Sequence, residues 1–125
     1  MPGESVLIVE DNAKNLKLVR DVLQFHGYIT LEAESGEVGI ELARAQQPAL
    51  ILMDVQPPGM DGRAAMKVLK ADTSTRHIPV IALTAFAMKG DQESLLAEGF
   101  DGYLSKPVNI KELPKVVGSH VRRQS

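Results

Sequence analysis

The chain has 125 residues, a formal net charge of −2, 44% hydrophobic residues and no cysteine. This length fits one domain with a single core, and the lack of cysteine excludes disulfides, thiol catalysis and cysteine-ligated zinc. Lysine and arginine are spread along the chain, and its apolar runs are far shorter than a membrane span. We therefore expect a single cytoplasmic domain, residues 1–125, that contacts neither nucleic acid nor membrane and carries no output domain.

Apolar runs and amphipathic stretches alternate along the first half of the chain. The pattern predicts a strand over 5–9 and a helix that begins after Asn12 and ends at Gly27. A second strand covers 28–33, and Ser35 caps a helix that ends before Pro48. We expect the inward stripes of these helices to contain Leu16, Val19, Val22 and Leu23 in the first, and Val38, Leu42 and Ala45 in the second.

The second half continues the alternation. Strands are predicted over 49–53, 78–83 and 102–105. A proline-containing loop at 56–59 precedes a helix that Asp61 can cap, with Met66 and Leu69 facing inward. A fourth helix over 88–98 ends at Gly99.

The last helix is predicted to begin after Asn109. Glu112 completes a capping box, and Val108 with Leu113 forms a hydrophobic staple. Pro114 lacks the N–H that continues a helix, so we expect an irregular start.

Strands that alternate with helices favour right-handed crossovers and a parallel sheet covered on both faces. We predict a doubly wound α/β fold, a (βα)5 three-layer sandwich of the flavodoxin-like kind with strand order 2-1-3-4-5. The topological switch point then lies between strands one and three, where such folds bind ligands.

Charged residues follow the apolar runs and should meet at that edge of the sheet. Glu10 and Asp11 follow the first strand, Asp54 follows the third, and Lys106 follows the fifth. Two carboxylates about 4 Å apart repel by roughly 4 kcal/mol at an effective dielectric of 20, which calls for a proton, a salt bridge or a cation. Solvated loop acids are the alternative, and capping is the better interpretation of Asp61. For Asp11 and Asp54 we favour Mg²⁺, with Mn²⁺ as the second choice.

The same edge has the groups that phosphoryl transfer requires. An aspartate can act as the nucleophile that forms an aspartyl phosphate, and Asp54 is placed for this. Lys106 and a divalent cation would offset charge on the transferring oxygens, while the hydroxyl of Thr84, at the end of strand four, would donate to them.

Five segments in order resemble the response-regulator receiver domains of two-component signalling, the CheY-like superfamily, over nearly the whole chain. They are 6–12 (VLIVEDN), 50–54 (LILMD), Pro58 with Gly62, 83–85 (LTA) and Lys106-Pro107. Within that family the chain most resembles the single-domain cell-division regulators. The resemblance implies that Asp54 accepts a phosphoryl group from a sensor histidine kinase or a histidine phosphotransfer protein.

The resemblance also implies roles for the neighbouring residues. Asp11, Asp54 and the backbone carbonyl of Gln56 would hold Mg²⁺, with Glu10 assisting through water. Thr84 and Tyr103 would form a switch pair that reshapes a protein-binding face made by helix four, strand five and helix five. The Lys106-Pro107 peptide matches a position that is usually cis in the family. Three residues depart from the family pattern: Glu10 replaces aspartate, Pro57 replaces methionine or leucine, and Pro114 lies on helix five.

Other functions have weaker support from the sequence. An aspartate-nucleophile phosphatase of the haloacid-dehalogenase type needs a second aspartate where Gln56 stands. A flavin or nucleotide carrier needs a glycine-rich loop after strand one, where Glu10 and Asp11 would repel phosphate. An unphosphorylated docking module conflicts with the intact acidic set.

Overall fold

The computed structural model describes residues 3–55, 61–85 and 89–121, and within these ranges strands and helices alternate five times. The strands are β1 (Ser5–Val9), β2 (Ile29–Ala33), β3 (Leu50–Val55), β4 (Val80–Thr84) and β5 (Gly102–Ser105). The helices are α1 (Ala13–Phe25), α2 (Gly36–Gln46), α3 (Asp61–Ala71), α4 (Lys89–Glu98) and α5 (Glu112–His120).

All strand pairs are parallel, and the sheet order is β2-β1-β3-β4-β5. This confirms the predicted doubly wound fold and its switch point between β1 and β3. In the register, Val9 lies opposite Met53, and Asp54 lies opposite Leu83. The residues that follow β1 and end β3 are therefore neighbours at one edge.

Two buried clusters cover the two faces of the sheet, because the residues of a strand point alternately to either side. One packs beneath α2, α3 and α4, and includes Met53, Met66 and Leu95. The other packs beneath α1 and α5, and includes Leu52 and Val117. The central strands are buried on both faces, as their uninterrupted apolar runs predict.

The predicted inward face of α2 is confirmed for Leu42, which packs partly buried against the core, but is wrong for Val38 and Ala45. Val38 is 43% exposed and Ala45 is exposed, whereas the buried residues are Gly36, Gly39 and Ala43. A Cβ on Gly39 would lie only 2.8 Å from Val9 Cγ2. The helix therefore approaches the sheet through its small residues, which hydropathy alone ranks below valine.

The start of α5 also differs from the prediction. Asn109 Oδ1 accepts hydrogen bonds from the backbone N–H groups of Lys111 at 2.8 Å and Glu112 at 3.2 Å, but the helix begins only at Glu112. Asn109 thus caps a preceding turn, and Lys111 is the N-cap residue without a side-chain cap. Pro114 falls in the first helical turn, where a missing N–H costs little.

The predicted caps of α1 and α2 are confirmed. Asn12 Oδ1 accepts from the N–H groups of Lys14 and Asn15, and Ser35 Oγ accepts from Val38. In the described ranges, the helices are too short and too polar to cross a bilayer.

Candidate functional site

Glu10, Asp54 and Lys106 meet at the carboxyl edge of the sheet. Lys106 Nζ donates a hydrogen bond to Asp54 Oδ1 and lies 3.2 Å from Glu10 Oε1. Because β4 separates β5 from β3, the lysine must reach across about 10 Å of sheet, which its long side chain allows. All three side chains are largely buried, with exposures of 0% for Glu10, 8% for Asp54 and 12% for Lys106. The three side chains therefore form one compact cluster with little exposure to solvent.

Burial, together with the adjacent Asp54 carboxyl, raises the pKa of Glu10 from 4.5 to about 7. The N–H of Asn12 donates to Glu10 Oε2 at 3.2 Å and, with the charge of Lys106, opposes this shift. Oε1 of Glu10 is buried and receives no hydrogen bond from the described residues, despite its ion pair with Lys106. Lys106 therefore leaves this oxygen of Glu10 without a hydrogen bond.

The acidic cluster fits a hard divalent cation. Glu10, Asp11 and Asp54 each offer a carboxylate oxygen, and these oxygens lie within 4.8 Å of one another. Oxygen-only ligands suit Mg²⁺, and the buried oxygen of Glu10 that lacks a hydrogen bond is the kind of group that a cation satisfies. Asp11 is exposed, which leaves room for the waters that Mg²⁺ retains. The backbone carbonyl of Gln56, expected as a fourth ligand, lies outside the described residues.

Thr84 lies at the same edge as Asp54. It ends β4, is 4% exposed, and stands opposite Val55 on one side and Ser105 on the other. Its carbonyl oxygen accepts a hydrogen bond of 2.8 Å from the Lys106 N–H, which ties the end of β4 to the residue after β5.

Tyr103 lies further back along β5, opposite Ala82, and is partly buried against the cluster beneath α4. It therefore packs on the same face of the sheet as α4. The Lys106-Pro107 peptide bond is cis.

Three features of the site were not anticipated from the sequence. Asp54 lies inside β3, which runs to Val55 because both residues pair with β4. The backbone of Asn12, predicted only as a helix cap, also binds Glu10. Gly62 of α3 lies against the Asp54 carbonyl; the sequence singled out this glycine as part of the family resemblance but did not predict the contact.

The fold, with acids after β1 and in β3 and a lysine after β5, defines a receiver domain. A model of the response regulator receiver domain matches residues 6–118, and the chain belongs to this family. The expected resemblance is thus confirmed, and the enzyme alternative is not favoured.

The chain is similar to known response regulators and to the receiver domain of a sensor kinase. The polar-differentiation response regulator DivK of Brucella ovis is 47% identical over 118 residues, which cover 94% of this chain and 96% of that protein. Two solved structures share the fold. The receiver domain of a sensor histidine kinase from Pseudomonas aeruginosa PAO1 has a TM-score of 0.84 and 35% identity, covers 94% of this chain and 97% of its own, and holds a magnesium ion in its active-site cleft. The chemotaxis response regulator CheY4 of Vibrio cholerae has a TM-score of 0.86 and 26% identity, with coverage of 95% and 99%.

Proposed function

We propose that this receiver domain is a phosphorylation-controlled switch of a cytoplasmic two-component phosphorelay, and that Asp54 is its phosphoacceptor. The observation that carries the proposal is the buried Asp54 carboxylate, which is bonded to Lys106 and shares a ligand cluster with Glu10 and Asp11. The 47% identity to DivK over almost the whole chain supports the same assignment.

In the proposed reaction, a carboxylate oxygen of Asp54 attacks the phosphorus of a phosphohistidine on a sensor kinase or phosphotransfer protein. The P–N bond breaks, and the imidazole leaves with a proton. Lys106 Nζ already contacts Asp54, so after the transfer it can form an ion pair with a phosphoryl oxygen. A Mg²⁺ ion held by Glu10, Asp11, Asp54 and the Gln56 carbonyl would neutralise the phosphoryl oxygens.

The proposed output is a protein-binding face made by α4, β5 and α5. Thr84 ends the strand beside β5, and Tyr103 is partly buried beneath α4, so a shift of the threonine hydroxyl towards the phosphoryl group changes the packing of the tyrosine. Leu96 on α4 is 47% exposed, which offers an apolar contact to a downstream protein. The net charge of −2 gives no support to direct nucleic-acid binding.

Intact mass spectrometry tests the phosphoacceptor assignment. The protein is incubated with acetyl phosphate and Mg²⁺ beside an Asp54→Asn variant and an Asp72→Asn variant, which removes a carboxylate from the turn after α3. We expect one hydroxylamine-labile phosphoryl group on the unmodified protein and on Asp72→Asn, and none on Asp54→Asn. An equal adduct on all three proteins, or none on any, contradicts the proposal.

A further inference from the structure

Gly62, in the first turn of α3, packs against the backbone of Asp54. A Cβ built on Gly62 would lie 2.2 Å from the Asp54 carbonyl oxygen, 3.2 Å from its carbonyl carbon and 3.4 Å from Val55 Cα. The nearest atoms belong to the main chain of a strand, so they cannot rotate away as a side chain can. Only a residue without a Cβ allows this approach of helix to strand.

The close approach, not an unusual backbone conformation, explains this glycine. The positive-φ glycines among the described residues are Gly3, Gly27 and Gly99, and Gly62 is not one of them. An ordinary helical glycine is less favourable than alanine, since it adds backbone entropy to the unfolded chain. Helix propensity alone therefore predicts that Gly62→Ala stabilises the protein, and the contact with Asp54 predicts the opposite.

The contact holds Asp54 from a second side. Pairing with β4 sets the register of Asp54 opposite Leu83, and Gly62 bears on its carbonyl group from α3. We propose that Gly62 is a positioning residue that fixes the Asp54 backbone, and with it the direction of the carboxylate towards the cation and the phosphodonor. The inference rests on the proposed role of Asp54 and adds a residue on which that role depends.

Two other glycines provide matched controls for Gly62→Ala. Gly102 begins β5, at the opposite edge of the sheet, and a Cβ there would meet Ile81 Cδ1 at 3.0 Å and the His120 ring at 3.3 Å. Gly90 lies in α4 with nothing within 4 Å of a Cβ. Gly102→Ala therefore tests crowding away from the site, and Gly90→Ala tests the change of residue type alone.

The experiment measures three quantities for each variant: the melting temperature, the Mg²⁺ dissociation constant by calorimetry without a phosphodonor, and the phosphorylation rate with acetyl phosphate. Small misplacements of reacting groups cost up to about a hundredfold in rate. We expect Gly62→Ala to slow phosphorylation by about tenfold or more and to weaken Mg²⁺ binding. Gly102→Ala should lower the melting temperature with unchanged Mg²⁺ affinity, and Gly90→Ala should reduce none of the three quantities.

Wild-type Mg²⁺ affinity and phosphorylation rate in Gly62→Ala would overturn the proposal. So would an equal loss of Mg²⁺ affinity in Gly102→Ala, since the effect would then follow stability. If Gly62→Ala does not fold, NMR of the isotope-labelled unmodified protein tests the proposal instead. The amide signal of Gly62 should shift when Mg²⁺ is added, while the signals of Gly90 and Gly102 should not. A Gly62 signal that does not shift overturns the proposal. If the unmodified protein is not phosphorylated, the proposed function is contradicted instead. The Mg²⁺ measurements then still test the positioning role of Gly62.

Discussion

Arg63 of α3 and Glu98 at the end of α4 form an ion pair, with 2.8 Å between Arg63 Nε and Glu98 Oε1. Ser94 Oγ donates to the other carboxylate oxygen at 3.1 Å. Leu95 is the one buried residue among the described side chains of α4. The ion pair therefore ties α4, which belongs to the proposed output face, to α3.

Replacing Arg63 by glutamine should loosen α4 locally with little effect on global stability. The side chains of the pair are 33% and 25% exposed, and such pairs contribute about 0–1 kcal/mol. We expect α4 amides to exchange hydrogen several-fold faster. Arg44→Gln is the control, since Arg44 Nε lies 2.8 Å from Asp72 Oδ2 in a pair of the same geometry between α2 and the turn after α3. Equal acceleration of α4 in both variants, or none in either, shows that the Arg63–Glu98 pair does not anchor α4.

The raised pKa of Glu10 predicts an unusual pH dependence of stability in the metal-free protein. Between pH 4.5 and about 7 the folded state keeps a proton that the unfolded state has lost, so this contribution falls as pH rises. It is complete below pH 4.5, is lost as pH passes 7, and amounts to at most about 3 kcal/mol. Urea unfolding at pH 5 and pH 8 measures it.

Glu10→Gln is the matched variant for this measurement, because it keeps the shape of the side chain and does not titrate. The difference in unfolding free energy between Glu10→Gln and the unmodified protein should change between pH 5 and pH 8 in favour of the variant. Mg²⁺ requires the ionised carboxylate, so its affinity for the unmodified protein should rise with pH over the same window. A difference that is constant with pH would show that Glu10 titrates normally.

The sheet could be predicted from the sequence because its central strands have a distinctive apolar pattern. The runs ending at Val9 and Met53 are apolar throughout, which only a doubly covered strand requires, and the acids after them mark the carboxyl edge. Register follows from parallel pairing, so the meeting of Glu10, Asp54 and Lys106 needed no long-range information beyond the strand order.

Contacts that depend on helix orientation were not accessible in this way. Gly39 faces the sheet because α2 approaches closely, and hydropathy assigned that face to Val38. The Arg63–Glu98 pair joins residues far apart in sequence on two different helices, and its formation depends on the tilt of both. No local pattern encodes that tilt.

Replacing Lys106 by methionine should separate Mg²⁺ binding from phosphoryl transfer. In the metal-free protein the ammonium group of Lys106 forms an ion pair with Asp54, and its Nζ lies 3.2 Å from Glu10 Oε1. It therefore competes with a bound cation for both carboxylates. We expect tighter Mg²⁺ binding by calorimetry, since the repulsion and the competing bond are gone, together with slower phosphorylation by acetyl phosphate. Lys70→Met is the control, because Lys70 pairs with Asp101 near the start of β5. Weaker Mg²⁺ binding in Lys106→Met would show that the lysine supports the metal site.

The cap residue Asn12 should link the stability of α1 to the acidic site. Its side chain accepts from Lys14 N at 3.0 Å and Asn15 N at 3.1 Å, while its own N–H binds Glu10. Asn12→Ala should lower the unfolding free energy by about 1 kcal/mol and weaken Mg²⁺ binding, because the segment that carries Glu10 loses its anchor on the helix.

Ser35→Ala is the control for this change, since it removes the side-chain bond at the N-cap of α2, to Val38 N at 3.2 Å, away from the acidic cluster. It should cost similar stability and leave Mg²⁺ affinity unchanged, whereas Asn12→Asp should keep the cap and retain Mg²⁺ binding. Calorimetric titration of the three variants with Mg²⁺ at pH 8, where Glu10 is ionised, measures the effect. Equal Mg²⁺ affinities in Asn12→Ala and Ser35→Ala would mean that the Asn12 side chain only caps α1. The burial of Glu10 and its ion pair with Lys106 would then be sufficient to position its carboxylate.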